Sequence, residues 1–157
     1  MRSNRFILRE REYGAFLASL RKLRADAFAK AVFLVEKNGT LLASTGEAQG
    51  VDATALASLA AGNIAATGGL ANLIGEKEFS ILFHEGERDN MHISVVGDRL
   101  ILVVIFDRRS SVGLVRLRVR RASQELAQIL AAVEENAGEE EGVIEELTEE
   151  DIESLFR

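Results

Sequence analysis

Apolar positions along the chain switch between helical and strand spacing. From Arg11 to Ala27, Tyr13, Phe16, Leu17, Leu20, Leu23 and Ala27 recur at intervals of three and four, which predicts an amphipathic helix with Arg21 and Lys22 in water. Two short strand-like runs follow, Val32–Val35 and Leu41–Ala43. Asn38-Gly39 between them predicts a hairpin with a two-residue turn, because both residues tolerate positive φ. The segment 51–75 then reads as a second helix. Asp52 is placed to cap its start and Gly75 to end it, and Leu56, Leu59, Ala66, Leu70 and Leu73 are expected to face the core.

Three further strands are expected at Phe79–His84, Met91–Val96 and Leu100–Phe106, with a tight Gly97-Asp98 turn between the last two. Leu100–Phe106 is apolar throughout and should be central, covered on both faces. A final helix is expected over Ser111–Val133, burying Val112, Val115, Val119, Ala122, Leu126, Ile129 and Val133. The order is helix, two strands, helix, three strands, helix, tail. It divides the chain into a flexible N-terminus (1–9), one α+β domain (10–133), an acidic linker (134–146) and a short terminal helix (147–157).

The length of 157 residues, 47% of them hydrophobic, suits one domain with a core. There is no cysteine, hence no disulfide and no thiolate chemistry. There is also no proline, so the turns rest on Gly, Asn and Asp. The start lacks an apolar run of signal-peptide length, and no stretch is expected to reach the roughly 20 apolar residues of a membrane span. A soluble cytoplasmic protein, without membrane insertion, is therefore expected. The net charge of −6 conceals a split: residues 134–157 hold eleven acidic residues and one basic, while the rest of the chain is mildly basic. The body is too weakly basic to suggest nucleic acid.

No catalytic motif is present: neither a P-loop nor GxSxG nor HExxH. The two histidines, His84 and His92, fall in strand patterns without motif partners and read as surface or edge-strand residues. No catalytic residue, metal ligand or cofactor is expected.

The middle helix carries a stripe of small residues: Ser58, Ala61, Gly62, Ala65, Gly68, Gly69 and Asn72. Three glycines inside a helix cost about 3 kcal/mol relative to alanine. That cost implies close approach by another surface, either the chain's own sheet or another molecule. Because the leucine side of this helix should serve the sheet, the small side points to an intermolecular contact.

In the tail, Thr148 and Asp151 have capping-box spacing, and Ile152, Leu155 and Phe156 share one side of a short helix. This is the form of a docking motif, or of a helix that folds back on its own domain. Arg108, Arg109, Arg116, Arg118, Arg120 and Arg121 cluster at and within the last helix. An arginine acting in trans on phosphoryl transfer is one reading; a solvated or acid-binding face, with the tail as client, is the other.

Beyond their order, the elements carry specific residues. AKAVFLVEKNG, SLAAGNIAATGGLANLIGEKEF, FHEG, LVVIFDRRSSVGLVRLRVRRAS and the tail EELTEEDIESLFR resemble the MglB-type branch of the Roadblock/dynein light chain family. The resemblance covers about residues 10–133 and the tail. It implies a five-stranded antiparallel sheet sandwiched by helices. It further implies a homodimer, with the sheets continuous through the strand near Phe79–His84 and the middle helices (52–73) paired. Such dimers bind one GTP-loaded small Ras-like GTPase of the MglA type, two regulator chains per GTPase. They accelerate GTP hydrolysis by remodelling the partner's active site, without supplying an arginine.

By this resemblance Ala61, Gly62, Ala65, Gly68, Gly69 and Asn72 would meet the GTPase. Ile152, Leu155 and Phe156 would dock it elsewhere and assist nucleotide exchange. The setting implied is bacterial cell polarity and gliding motility, at a cell pole. A Roadblock-type scaffold without effect on hydrolysis is the alternative.

Overall fold

The computed structural model describes residues 10–47 and 50–155, with side chains as far as residue 136. Elements run in the order α1 (Glu10–Asp26), β1 (Ala31–Glu36), β2 (Leu41–Gly46), α2 (Ala53–Leu73), β3 (Ile81–Glu85), β4 (Asn90–Val96), β5 (Leu100–Phe106) and α3 (Val112–Leu155). The expected N-terminal segment 1–9 lies outside the described residues.

The five strands form one antiparallel sheet in the order β2-β1-β5-β4-β3. β5 is central, as its unbroken apolar run predicts, and β1 beside it is buried at every position. Alternation along these two strands divides the core between two faces. Val32, Leu34, Leu100, Leu102, Val104 and Phe106 pack beneath α1 and α3. Ala31, Phe33, Val35, Ile101 and Val103 pack beneath α2. The result is a three-layer α+β architecture, with two helices on one face and one on the other.

Local signals place the ends of α2. The Asp52 carboxylate accepts from the backbone N–H of Ala55 at 3.0 Å. At the other end Gly75 takes φ +81°, Glu76 N–H donates to Ala71 O at 2.9 Å, and Gly75 N–H donates to Asn72 O at 3.2 Å. This is the paired closure that a left-handed residue permits.

Several expectations change, among them Val112, which is 38% exposed rather than buried. The β1–β2 turn is not a two-residue turn. Gly39 has φ +97° while Asn38 does not have positive φ, and Gly39 N–H donates to Glu36 O at 2.8 Å. The loop therefore has three residues, Lys37 to Gly39, with glycine alone in the left-handed position. Asn38 instead accepts from Thr40 N–H through Oδ1 at 2.9 Å.

The last helix does not stop at Val133. The backbone stays helical to Leu155, so the 134–146 segment expected as a linker is part of α3. Glutamate dominates that segment and favours helix, and Gly138 and Gly142, without proline, are too weak to end it.

Finally, α2 is long and apolar enough, by length and composition, to cross a membrane. That differs from the reading of the sequence because its many alanines, with no charged residue among them, raise the mean hydropathy of 21 residues. Here α2 lies along the sheet, with Ala57, Ala60, Ile64 and Ala71 buried.

Candidate partner interface

The contact face of α2 is not the leucine face. Ala57, Ala60 and Ile64 meet the sheet, with Ala53, Leu56 and Ala61 partly buried beside them, and Ala71 is buried further along the helix. Leu59 is 73% exposed, Leu70 59% and Leu73 82%, and Ala66 and Ile74 are exposed as well. The physical reason lies in side-chain size. Alanines let the helix axis come close to the β-branched and aromatic side chains of β1 and β5, where a row of leucines would hold it away. A helix apolar on most of its circumference gives no single stripe for periodicity to find.

The small-residue stripe is also turned away from the sheet, on the other flank. Gly62, Ala65, Gly69 and Asn72 are exposed, and Ala61 and Gly68 are partly so. Ser58 and Ala61 sit next to the β1–β2 turn: a Cβ on Gly39 would lie 3.6 Å from the Cα of Ser58 and 3.9 Å from the Cβ of Ala61. By contrast, a Cβ on Gly62, Gly68 or Gly69 would meet nothing within 4 Å. Among the described residues, no contact therefore offsets the cost of these three helical glycines.

The leucine flank leads to the sheet edge. Asp52, Ala55, Leu56, Leu59, Ala60, Asn63, His84, Met91 and Ile93 line a groove of about 370 Å³ between α2 and the β3–β4 hairpin. Among the described residues β3 is a bare edge strand, paired only to β4, with Ile81 47% and Phe83 40% exposed. A sheet edge with unpaired backbone groups and apolar side chains is a template for another strand. His84 is exposed on this edge, as expected, and its Nε2 lies 3.5 Å from Asn63 Nδ2.

His92 departs from expectation. It is only 1% exposed, on β4 beneath α3, and neither ring nitrogen has a hydrogen-bond partner. Burial, and secondarily the positive charge of Arg116, hold its pKa below the usual value. Alternation along β4 places His92 and Ser94 on one face and Ile93 on the other, a parity the sequence contains once the strand boundaries are known.

The arginines fall into separate environments. Arg109 donates through Nε and Nη2 to Asp107, each at 3.1 Å, and this pairing holds the Asp107 carboxyl below the usual carboxylate range. Arg108, Arg116, Arg120 and Arg121 are exposed, whereas Arg118 is partly buried. Because α3 continues to Leu155, the acidic residues that follow are carried away along the helix axis rather than back over these arginines. Of the three tail residues named from the sequence, Ile152 and Leu155 are on helical backbone, and Phe156 lies outside the described residues.

This architecture is that of a Roadblock/LC7 domain: the profile of that family matches residues 16–106, and the chain belongs to the family. Among solved structures it is similar to Myxococcus xanthus MglB, with 53% identity and a TM-score of 0.77 over 81% of this chain and 96% of that one. It is similar also to the gliding protein MglB of Thermus thermophilus, at 32% identity and a TM-score of 0.73 over 78% and 93% of the two chains. A third structure, described as MglB with a tetrameric arrangement, shares 30% identity over 81% of this chain and 96% of that one, with a TM-score of 0.76. A search of curated protein sequences returns no match.

Proposed function

We propose that this chain is an MglB-like activator of a small Ras-like GTPase of the MglA type, working as a homodimer. The observation that carries the proposal is on α2: three helical glycines have open space where a side chain would be, on a flank distinct from the exposed leucines. Two open flanks on one helix suit two contacts. The leucine flank and the β3 edge would join two copies, extending the sheet across the twofold axis. The small-residue flank, through Ala61, Gly62, Ala65, Gly68, Gly69 and Asn72, would then approach the GTP-bound partner closely, with two regulator chains per GTPase.

The dimer would act by binding the hydrolysis-competent conformation of its partner more tightly than the resting one. It supplies no arginine and no cofactor. Ile152, Leu155 and Phe156 would dock the same GTPase elsewhere and assist nucleotide exchange. The cellular setting proposed is the cytoplasm, at a pole, in polarity and gliding motility.

The deciding experiment is single-turnover GTP hydrolysis by the cognate Ras-like protein, with and without saturating dimer. Acceleration is expected; an unchanged rate discards the activator reading. A scaffold reading is favoured by the bare β3 edge and exposed leucines, which self-association alone would cover. Binding that ignores nucleotide state, with hydrolysis unchanged, would select it.

A further inference from the structure

On the sheet face opposite α2, β3, β4 and α3 enclose a cleft of about 460 Å³. Its lining has an unusual charge balance. Arg116 and Arg120 stand one helical turn apart on α3, and no carboxylate is among the lining residues. Two like charges at this spacing repel each other. Among the described residues, neither guanidinium has an ion-pair partner.

His92 and Ser94, 1% and 4% exposed, also line the cleft, and their ring nitrogens and Oγ lack partners. Buried polar atoms of this kind are costly to leave unpaired. Ser80, Ser123 and Gln124 add further donors, and Ile81, Val95 and Val119 supply apolar wall. Donors and positive charge converging beside an apolar surface, at this volume, make a pocket for a small organic anion.

We propose that this cleft binds a small molecule carrying an oxyanion head group, phosphate or carboxylate. Arg116 and Arg120 hold the charge, Ser94 and His92 donate to its oxygens, and the apolar wall takes the organic body. The site lies across the sheet from the α2 surface, so it stands or falls independently of the GTPase reading.

The test is a titration of the full-length protein with phenyl phosphate and with benzoate, and with sodium chloride at matched ionic strength. The readout is the NMR signal of the His92 ring, with the exposed His84 as internal reference. Saturable movement of His92 is expected with at least one of the two probes and not with chloride. The probe that binds identifies the head group. In an Arg116→Gln/Arg120→Gln double variant, affinity should fall about tenfold or more, as expected for two charged hydrogen bonds. Both arginines are exposed, so the variant should fold. A His92 signal that follows only ionic strength, or affinity undiminished in the double variant, overturns the proposal.

Discussion

The rings of Phe83 and Phe106 stack with centroids 6.2 Å apart and planes inclined by 29°. The contact reaches across β4, tying the edge strand β3 to the central strand β5. Phe83 is 40% exposed and Phe106 is buried. Phe83→Ala should therefore cost about 1–2 kcal/mol, below the usual range for a fully buried phenylalanine. Urea unfolding measures it. The same variant should loosen β3 and weaken any pairing along that edge, which analytical ultracentrifugation would show.

His92 gives a pH dependence with a definite sign. Its pKa is lowered in the folded state by burial and by Arg116, so between that lowered value and the ordinary value near 6.5 the unfolded chain binds more protons. Stability is complete above pH 6.5 and declines as pH falls from there toward the folded pKa. Asp107, also depressed, loses its contribution only in the acidic range near and below the ordinary 3.8. Denaturation at pH 8.0 and 5.5 should show a loss of stability that His92→Leu diminishes. An undiminished loss in the variant would assign it to other groups.

The two flanks of α2 should separate by substitution. Leu59→Asp should weaken self-association, because it places a charge on the leucine flank. Ala65→Arg should leave the dimer intact and reduce affinity for GTP-loaded partner by about tenfold or more, as a bulky side chain does at a closely packed centre. Both positions are exposed, so both variants should fold. Sedimentation and nucleotide-dependent pull-down distinguish the two effects. If Ala65→Arg binds normally, the partner-facing flank is misassigned.

Removing residues 147–157 should preserve self-association, since these residues lie beyond the Roadblock match. Partner binding or nucleotide exchange should fall. Unchanged exchange kinetics would reduce the segment to a passive extension of α3.

Much of this fold is legible in the residue pattern. The unbroken apolar runs of β1 and β5, the Asp52 cap and the Gly75 stop each have a local cause, and each appears at or near its expected place. The orientation of α2 is different. Its apolar residues cover most of the helix, so spacing alone cannot say whether Ala57 and Ala60 or Leu59 and Leu70 face inward. The choice is made by how closely the helix approaches β1, which is a tertiary property. The burial of His92 was hidden for a related reason: a polar residue in a half-buried strand is ordinarily assigned to water, and only the covering of β4 by α3 decides otherwise. The small-residue flank was visible in the sequence, yet the sense of its openness came from the empty space around Gly62, Gly68 and Gly69.

The length of α3 has an electrostatic consequence. Forty-four residues span about 66 Å, so the arginines at 116–121 and the acidic run around 145–153 lie roughly 45 Å apart along a single rod. At physiological ionic strength charges are screened within about 8 Å. Opposite ends of the rod therefore cannot neutralise each other while it stays straight. The helix is thus a charge-separated rod, basic over its first turns and acidic toward its end.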